Sequence, residues 1–157
     1  RPDGAFAPKD RWAMDWYYPV LSGAVTGNEA RYHLADRYHE FVMEGHGVRC
    51  VGNKDWATAA ETSECAMAHL LVDDRGTALD LFHSTLAMRR PDGRYLTGIV
   101  YPDRVTFPDE ECSTYTAAAV ILAADALSGA SPASSLFVDH SALPDVIDVE
   151  PRVREVD

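Results

Sequence analysis

Apolar side chains crowd residues 14–25, which predicts a short buried helix with Asp15 as its cap and Pro19 in the tolerant first turn. Thr26-Gly27-Asn28 breaks it. Over residues 28–43, Ala30, Leu34, Tyr38, Phe41 and Val42 share one face, while Glu29, Arg31, Asp36, Arg37 and Glu40 occupy the rest, the pattern of an amphipathic surface helix. A similar pair follows. Asp55 is placed to cap a helix from Trp56 to Leu71 that is rich in small residues, Asp73-Asp74-Arg75-Gly76 turns the chain, and residues 77–89 repeat an apolar stripe through Ala78, Leu81, Phe82, Leu86 and Met88. Pro91-Asp92-Gly93 is a turn signal, and residues 95–101 read as extended. A third apolar helix is expected from about Asp109-Glu110-Glu111 to Leu127, ending at Ser128-Gly129, with Pro132 opening a short partner. Beyond Leu143, acidic residues and Pro144 and Pro151 leave no period. The chain thus divides into a helical domain over 1–142 and an irregular acidic tail over 143–157.

A helix that is apolar on most sides has to be buried on most sides, and its amphipathic neighbour then shields it from water. Three such hairpins predict an all-α fold. Aligning Trp56-Ala57-Thr58-Ala59-Ala60 with Thr114-Tyr115-Thr116-Ala117-Ala118 gives an offset of 58 residues, and aligning Asp55-Trp56 with Asp15-Trp16 gives 40. Inner and outer helices in alternation suit an α/α barrel, and a stacked solenoid of helix pairs fits the same pattern.

Composition narrows the partners more than the fold. Among 157 residues, 14 Lys and Arg face 25 Asp and Glu, a net charge of −11. Nucleic acid and anionic lipid both require clustered cations, so neither is an expected partner. No apolar run approaches the roughly 20 residues of a membrane span, and no basic-then-apolar leader opens the chain, so a cytoplasmic location is expected. Cys50, Cys65 and Cys112 are odd in number and widely spaced, which suits buried thiols better than a disulfide framework or a metal knuckle. The six histidines show no ligand spacing.

Four stretches resemble a known group. Met14-Asp15-Trp16-Tyr17-Tyr18-Pro19-Val20-Leu21, Gly47-Val48-Arg49-Cys50-Val51, Trp56-Ala57-Thr58-Ala59-Ala60-Glu61-Thr62 and the run from Thr114 to Leu127 are similar to bacterial prenyltransferase-like proteins of the α/α-toroid superfamily, which includes terpene cyclases. The resemblance covers about residues 11–128 and implies the C-terminal half of a ring, about three of six hairpins, with the N-terminal half missing. The superfamily's signatures are only partly present. Leu71-Val72-Asp73-Asp74 lacks the first Asp of the protonating motif, and Cys112 lacks the Asp-x-Cys context of a zinc ligand.

Two interior acids stand out from the caps. Glu61 and Glu64 fall inside a helix that otherwise reads as buried, without a basic residue at i+4, so each needs a cavity, water or an arginine such as Arg49. With Glu111 they are the candidate catalytic groups, and Trp16, Tyr17, Trp56 and Tyr115 are the candidate pocket walls, since aromatic faces stabilise cations and also stack on sugars. Asp15, Asp55 and Asp109-Glu110-Glu111 would share one rim if the inner helices are parallel. The first functional reading is an isoprenoid-like or other apolar substrate in an aromatic-lined cavity. The second is a carbohydrate-active α/α barrel that sets two carboxylates about a glycosidic bond, and the third a non-catalytic interaction module. No metal is expected, and Mg²⁺ would be needed only for a diphosphate substrate, which a rim this acidic would otherwise repel. Uncovered inner helices predict self-association.

Overall fold

A computed structural model of the chain describes residues 10–139. The expected tail over 143–157 lies outside them. Among these residues, six helices and five short strands follow in the order α1 (Ala13–Leu21), α2 (Gly27–Asp36), α3 (Tyr38–Phe41), β1 (Val42–Met43), β2 (Gly47–Arg49), β3 (Trp56–Thr58), α4 (Ala59–Leu70), α5 (Arg75–Ser84), β4 (Gly98–Val100), β5 (Val105–Thr106) and α6 (Thr114–Ser128). A 3₁₀ turn, Thr85–Met88, extends α5.

The strands form one antiparallel sheet in chain order, β1 to β5, with Val48 opposite Thr58 and Ala57 opposite Ile99 at its centre. The expectation of an all-α toroid is therefore corrected: the fold is α+β. The physical reason is strand length. Strands of two or three residues complete no alternating window, so their signal is submerged in the helical pattern around them. Trp56-Ala57-Thr58, read as the first turn of a helix, is instead the central strand, and α4 begins only at Ala59. The surface helix expected over 28–43 breaks at Arg37 and ends in β1. The extended reading of 95–101 holds at β4, within that span.

Helix ends moved as well. Trp12 occupies the N-cap of α1, which puts Asp15 in the first turn and Pro19 near the C-terminal end. Asp55 caps nothing and pairs with Arg49 at 3.1 Å. Ser113 caps α6 by accepting from the Thr116 N–H at 3.1 Å, so Asp109-Glu110-Glu111 lies in the preceding loop. Gly129 closes that helix at φ 64°, a left-handed conformation that glycine adopts without steric cost. Residues 131–138 form turns where a partner helix was expected to start at Pro132.

Helix α4 is the axis of the molecule. It packs against α1, α5 and α6 and over β2, and every residue from Ala59 to His69 is buried. One apolar cluster, including Trp16, Tyr17, Leu34, Phe41 and Cys65, joins α1 and α2 to one side of α4. A second, including Ile99, Leu96, Met88 and Val120, joins the sheet to α6. The sheet approaches α4 so closely at Gly47 that a Cβ there would sit 2.6 Å from Thr62 Oγ1, the atom that accepts from the Val48 N–H at 2.8 Å. Among the described residues no helix is long and apolar enough to cross a membrane.

Candidate functional site

The strand β3 feeds directly into α4, and this junction positions both interior acids. Thr58 and Glu61 stand in N-cap and N3 positions, the spacing of a capping box, but the Thr58 hydroxyl donates to Glu61 Oε2 itself at 2.5 Å. Burial, with the Glu61 carboxylate nearby, pushes the Cys50 thiol up to about 12. One turn further on, Glu64 receives two phenols. Tyr17 of α1 donates to Oε2 and Tyr115 of α6 to Oε1, each at 2.5 Å. Burial raises the neighbouring Tyr18 phenol above its ordinary value.

These acids are neither free nor lost in the core. Glu61 and Glu64 are each 8% exposed, where an uncompensated carboxylate would be costly, and the hydroxyls are what compensate Glu64. The phenols respond in turn. Burial first, then the Glu64 carboxylate, raises Tyr17 well above the ordinary tyrosine value, and the same two causes raise Tyr115. Both therefore stay protonated donors across the neutral range.

Glu64 faces a cleft of about 470 Å³ whose other walls include Tyr18, Met67, Tyr115, Leu122 and Phe137. A carboxylate and phenolic oxygens supply its polar side, and aliphatic and aromatic carbon supplies the remainder. No lysine or arginine is among the described residues lining it. A cleft of about 510 Å³ also opens between the β1–β2 turn and α5, beside Tyr38, Glu44, Asp80 and His83, but none of the candidate residues lines it.

The predicted set thus separates. Glu64, Tyr17 and Tyr115 come together, and Glu61 lies one helical turn away on the same helix. Glu111 is exposed in the loop before α6, and its backbone carbonyl accepts from the Thr97 N–H at 2.8 Å. Trp16 is a core residue that stacks on Phe41 at 5.3 Å and donates its Nε1–H to the His33 carbonyl. Trp56 packs edge-on against Phe107 at 5.1 Å and donates to its carbonyl. Arg49 reaches Asp55 and the carbonyls of Glu40 and Val42 rather than either interior acid. Sequence reasoning placed no special weight on Tyr18, Met67 or Phe137. Only Tyr18 carried a signal, as the neighbour of Tyr17. Among the described residues no group of three or more His, Cys, Asp and Glu could hold a metal ion.

Over 133 residues, 85% of its length, the chain is 46% identical to MMP endo-(1,4)-3-O-methyl-alpha-D-mannosidase of Mycolicibacterium hassiacum. That relative is a mannosidase. The chain spans 37% of the relative's length, a little over a third. No family model matches the chain. The mannosidase overturns the resemblance to prenyltransferases and terpene cyclases and, with it, the isoprenoid reading of the site. The shared small-residue helices and aromatic starts are what any packed helical interior selects, so they carried fold-like similarity without the chemistry. The carbohydrate reading, held second on sequence, is the one the relative favours.

Proposed function

We propose that this chain forms the Glu64-bearing part of a glycoside hydrolase acting on α-mannosides with 3-O-methyl groups. The observation that carries the reading is the Glu64 carboxylate, held by Tyr17 and Tyr115 at the edge of a largely apolar cleft. Glycosidic cleavage uses a carboxyl group to move a proton or to attack the anomeric carbon, generally with a second carboxyl across the bond. Glu64 serves as one of this pair. Its two phenols orient the carboxylate, and Tyr115, 53% exposed, is the aromatic surface a sugar ring would meet first.

The apolar wall supports the methylated substrate. A sugar hydroxyl pressed against Met67, Leu122 and Phe137 would lose its water without gaining a partner, whereas a methyl ether there gains about 0.8 kcal/mol for each buried carbon. The absence of a lysine or arginine from the described lining also agrees with a neutral substrate.

The test is binding and cleavage of 3-O-methylated α-1,4-manno-oligosaccharides, with unmethylated oligosaccharides alongside. Methylated ligands should perturb Tyr115 and Met67 resonances and bind at least tenfold tighter. Glu64→Gln should retain that binding and lower kcat by a factor of 100 or more, the scale of a lost acid or base. Equal binding of both ligand sets, or full activity in Glu64→Gln, overturns the assignment.

A further inference from the structure

Glycosidic cleavage divides its work between two carboxyl groups in opposite charge states. One gives a proton to the oxygen that leaves, and the other, already ionised, attacks the anomeric carbon or takes a proton from an attacking water on the opposite face of the ring. The bonds around Glu64 distinguish the two roles. Tyr17 donates to Oε2 from α1 and Tyr115 to Oε1 from α6, so both carboxylate oxygens already accept a phenolic proton. A proton on either oxygen would remove the charge that both phenols answer. Hydrogen bonds to a charged acceptor are roughly twice as strong as those between neutral groups, so this pair favours the ionised form. Among the described residues, the titratable groups that act on Glu64 are Tyr17 and Tyr18 of α1, Tyr115 of α6 and Cys65 of α4, and none of these is a cation. Glu61, one turn back, is engaged through Oε2 by the Thr58 hydroxyl. On the other elements packed against α4, Arg49 of β2 pairs with Asp55, Arg75 of α5 donates to the Leu127 carbonyl, and Asp80 and His83 of α5 border the cleft beside Tyr38. Hydrogen bonds from phenols are therefore what hold the charge on Glu64.

We propose that Glu64 enters the reaction as the ionised carboxylate on the ring face opposite the leaving oxygen, with Tyr17 and Tyr115 as the positioning residues that keep it in that state. The assignment rests on the functional reading of the cleft and goes beyond it by dividing the roles. The bond from the anomeric carbon to the glycosidic oxygen breaks with its electron pair passing to that oxygen, which takes a proton from the second carboxyl group. The new bond to the anomeric carbon comes from a Glu64 oxygen, later displaced by water, or directly from a water whose proton Glu64 accepts. Tyr17 and Tyr115 keep their own protons throughout, since burial and the Glu64 carboxylate raise both above the ordinary tyrosine value.

The experiment uses aryl glycosides of 3-O-methylated α-1,4-manno-oligosaccharides with a dinitrophenyl leaving group, which departs without needing a proton. Glu64→Ala should cleave them roughly 100-fold more slowly than the wild type. Sodium azide should restore the rate about tenfold or more and yield the β-mannosyl azide, because the small anion enters on the face that Glu64 vacates. Were Glu64 the acid, the same variant would cleave the activated glycoside at close to the wild-type rate, or azide would give the α-anomer. Either result overturns the proposal. Tyr17→Phe, which leaves Glu64 in place, guards against an alanine variant that fails to fold. It should move the acid limb of the kcat/KM profile to higher pH by about half a unit or more, because one donor to the charged form is gone. A limb unmoved in both Tyr17→Phe and Tyr115→Phe overturns the role given to the phenols. A wild-type chain that cleaves no mannoside removes the functional reading and this role together, whereas cleavage with formation of the α-azide removes the role alone.

Discussion

Helix α4 buries ionisable groups in opposite ways at its middle and near its C-terminal end. At Glu64, a tyrosine from α1 and one from α6 fill both carboxylate oxygens. Five residues on, His69 is buried as deeply, but only one ring nitrogen is engaged: Nδ1 meets Asp74 Oδ2 at 3.1 Å, and Nε2 has no partner. Burial drives His69 below its usual value despite the Asp74 carboxylate, so the imidazole is held neutral. Asp74 is drawn below the usual carboxylate range. Partial burial opposes that shift, but the Thr77 hydroxyl and N–H, the latter capping α5, and His69 outweigh it. The difference lies in how completely each group is bonded, since both border clefts. On the proposed function the fully bonded Glu64 carboxylate is the group that meets the ligand, while His69 lines a separate cleft of about 410 Å³ beside Tyr38 with one ring nitrogen unbonded.

The largest expected effect breaks the Glu64 arrangement directly. Tyr17→Phe keeps the ring in the core and deletes one donor, leaving a buried carboxylate oxygen unsatisfied, and should cost about 1–3 kcal/mol in urea unfolding. A neutral result would mean that water or another group replaces the phenol, and the contrast would lose its basis.

Alkaline titration sharpens the same arrangement. Because the folded-state values of Tyr17 and Tyr115 lie above the ordinary 10.0, the unfolded chain releases these protons first. Their stabilisation is fully present below pH 10 and is lost as pH rises beyond it. Melts at pH 9 and 11 should show a steeper fall for the wild type than for Tyr17→Phe/Tyr115→Phe.

The smallest effect belongs to His69. Its folded value lies below 6.5, so between the two values the unfolded state holds more proton and stability rises with pH. Melts at pH 5 and 7 should differ by less in His69→Asn, which keeps a donor for Asp74 and does not titrate. A wild type without this dependence would place a partner on Nε2 and make the two groups alike.

Much of the helical skeleton was legible in the chain. Periodicity placed the bodies of α1, α2, α4, α5 and α6, because each buries a stripe against a neighbour and the stripe is written at helical spacing. The sheet was not legible. Its strands are shorter than any window that reveals alternation, and Trp56-Ala57-Thr58 is apolar enough to pass as the start of α4. Within the site, Glu61 and Glu64 could be singled out because a carboxylate on a buried helix is costly and calls for an explanation. Trp16 and Trp56 settle outside the Glu64 cleft, since an aromatic ring is equally at home in a core or a cleft.

What the sequence by itself determined is therefore the bodies of the five longer helices, the acidic composition and the need for partners at the interior acids. All of these follow from spacing and from the free energy of burial, which are local. Only the tertiary structure decided which partners arrive. Tyr17 stands 47 residues from Glu64 and Tyr115 stands 51, separations across which no local pattern operates. Their meeting depends on α1 and α6 packing on two sides of α4, with the sheet setting where α4 begins.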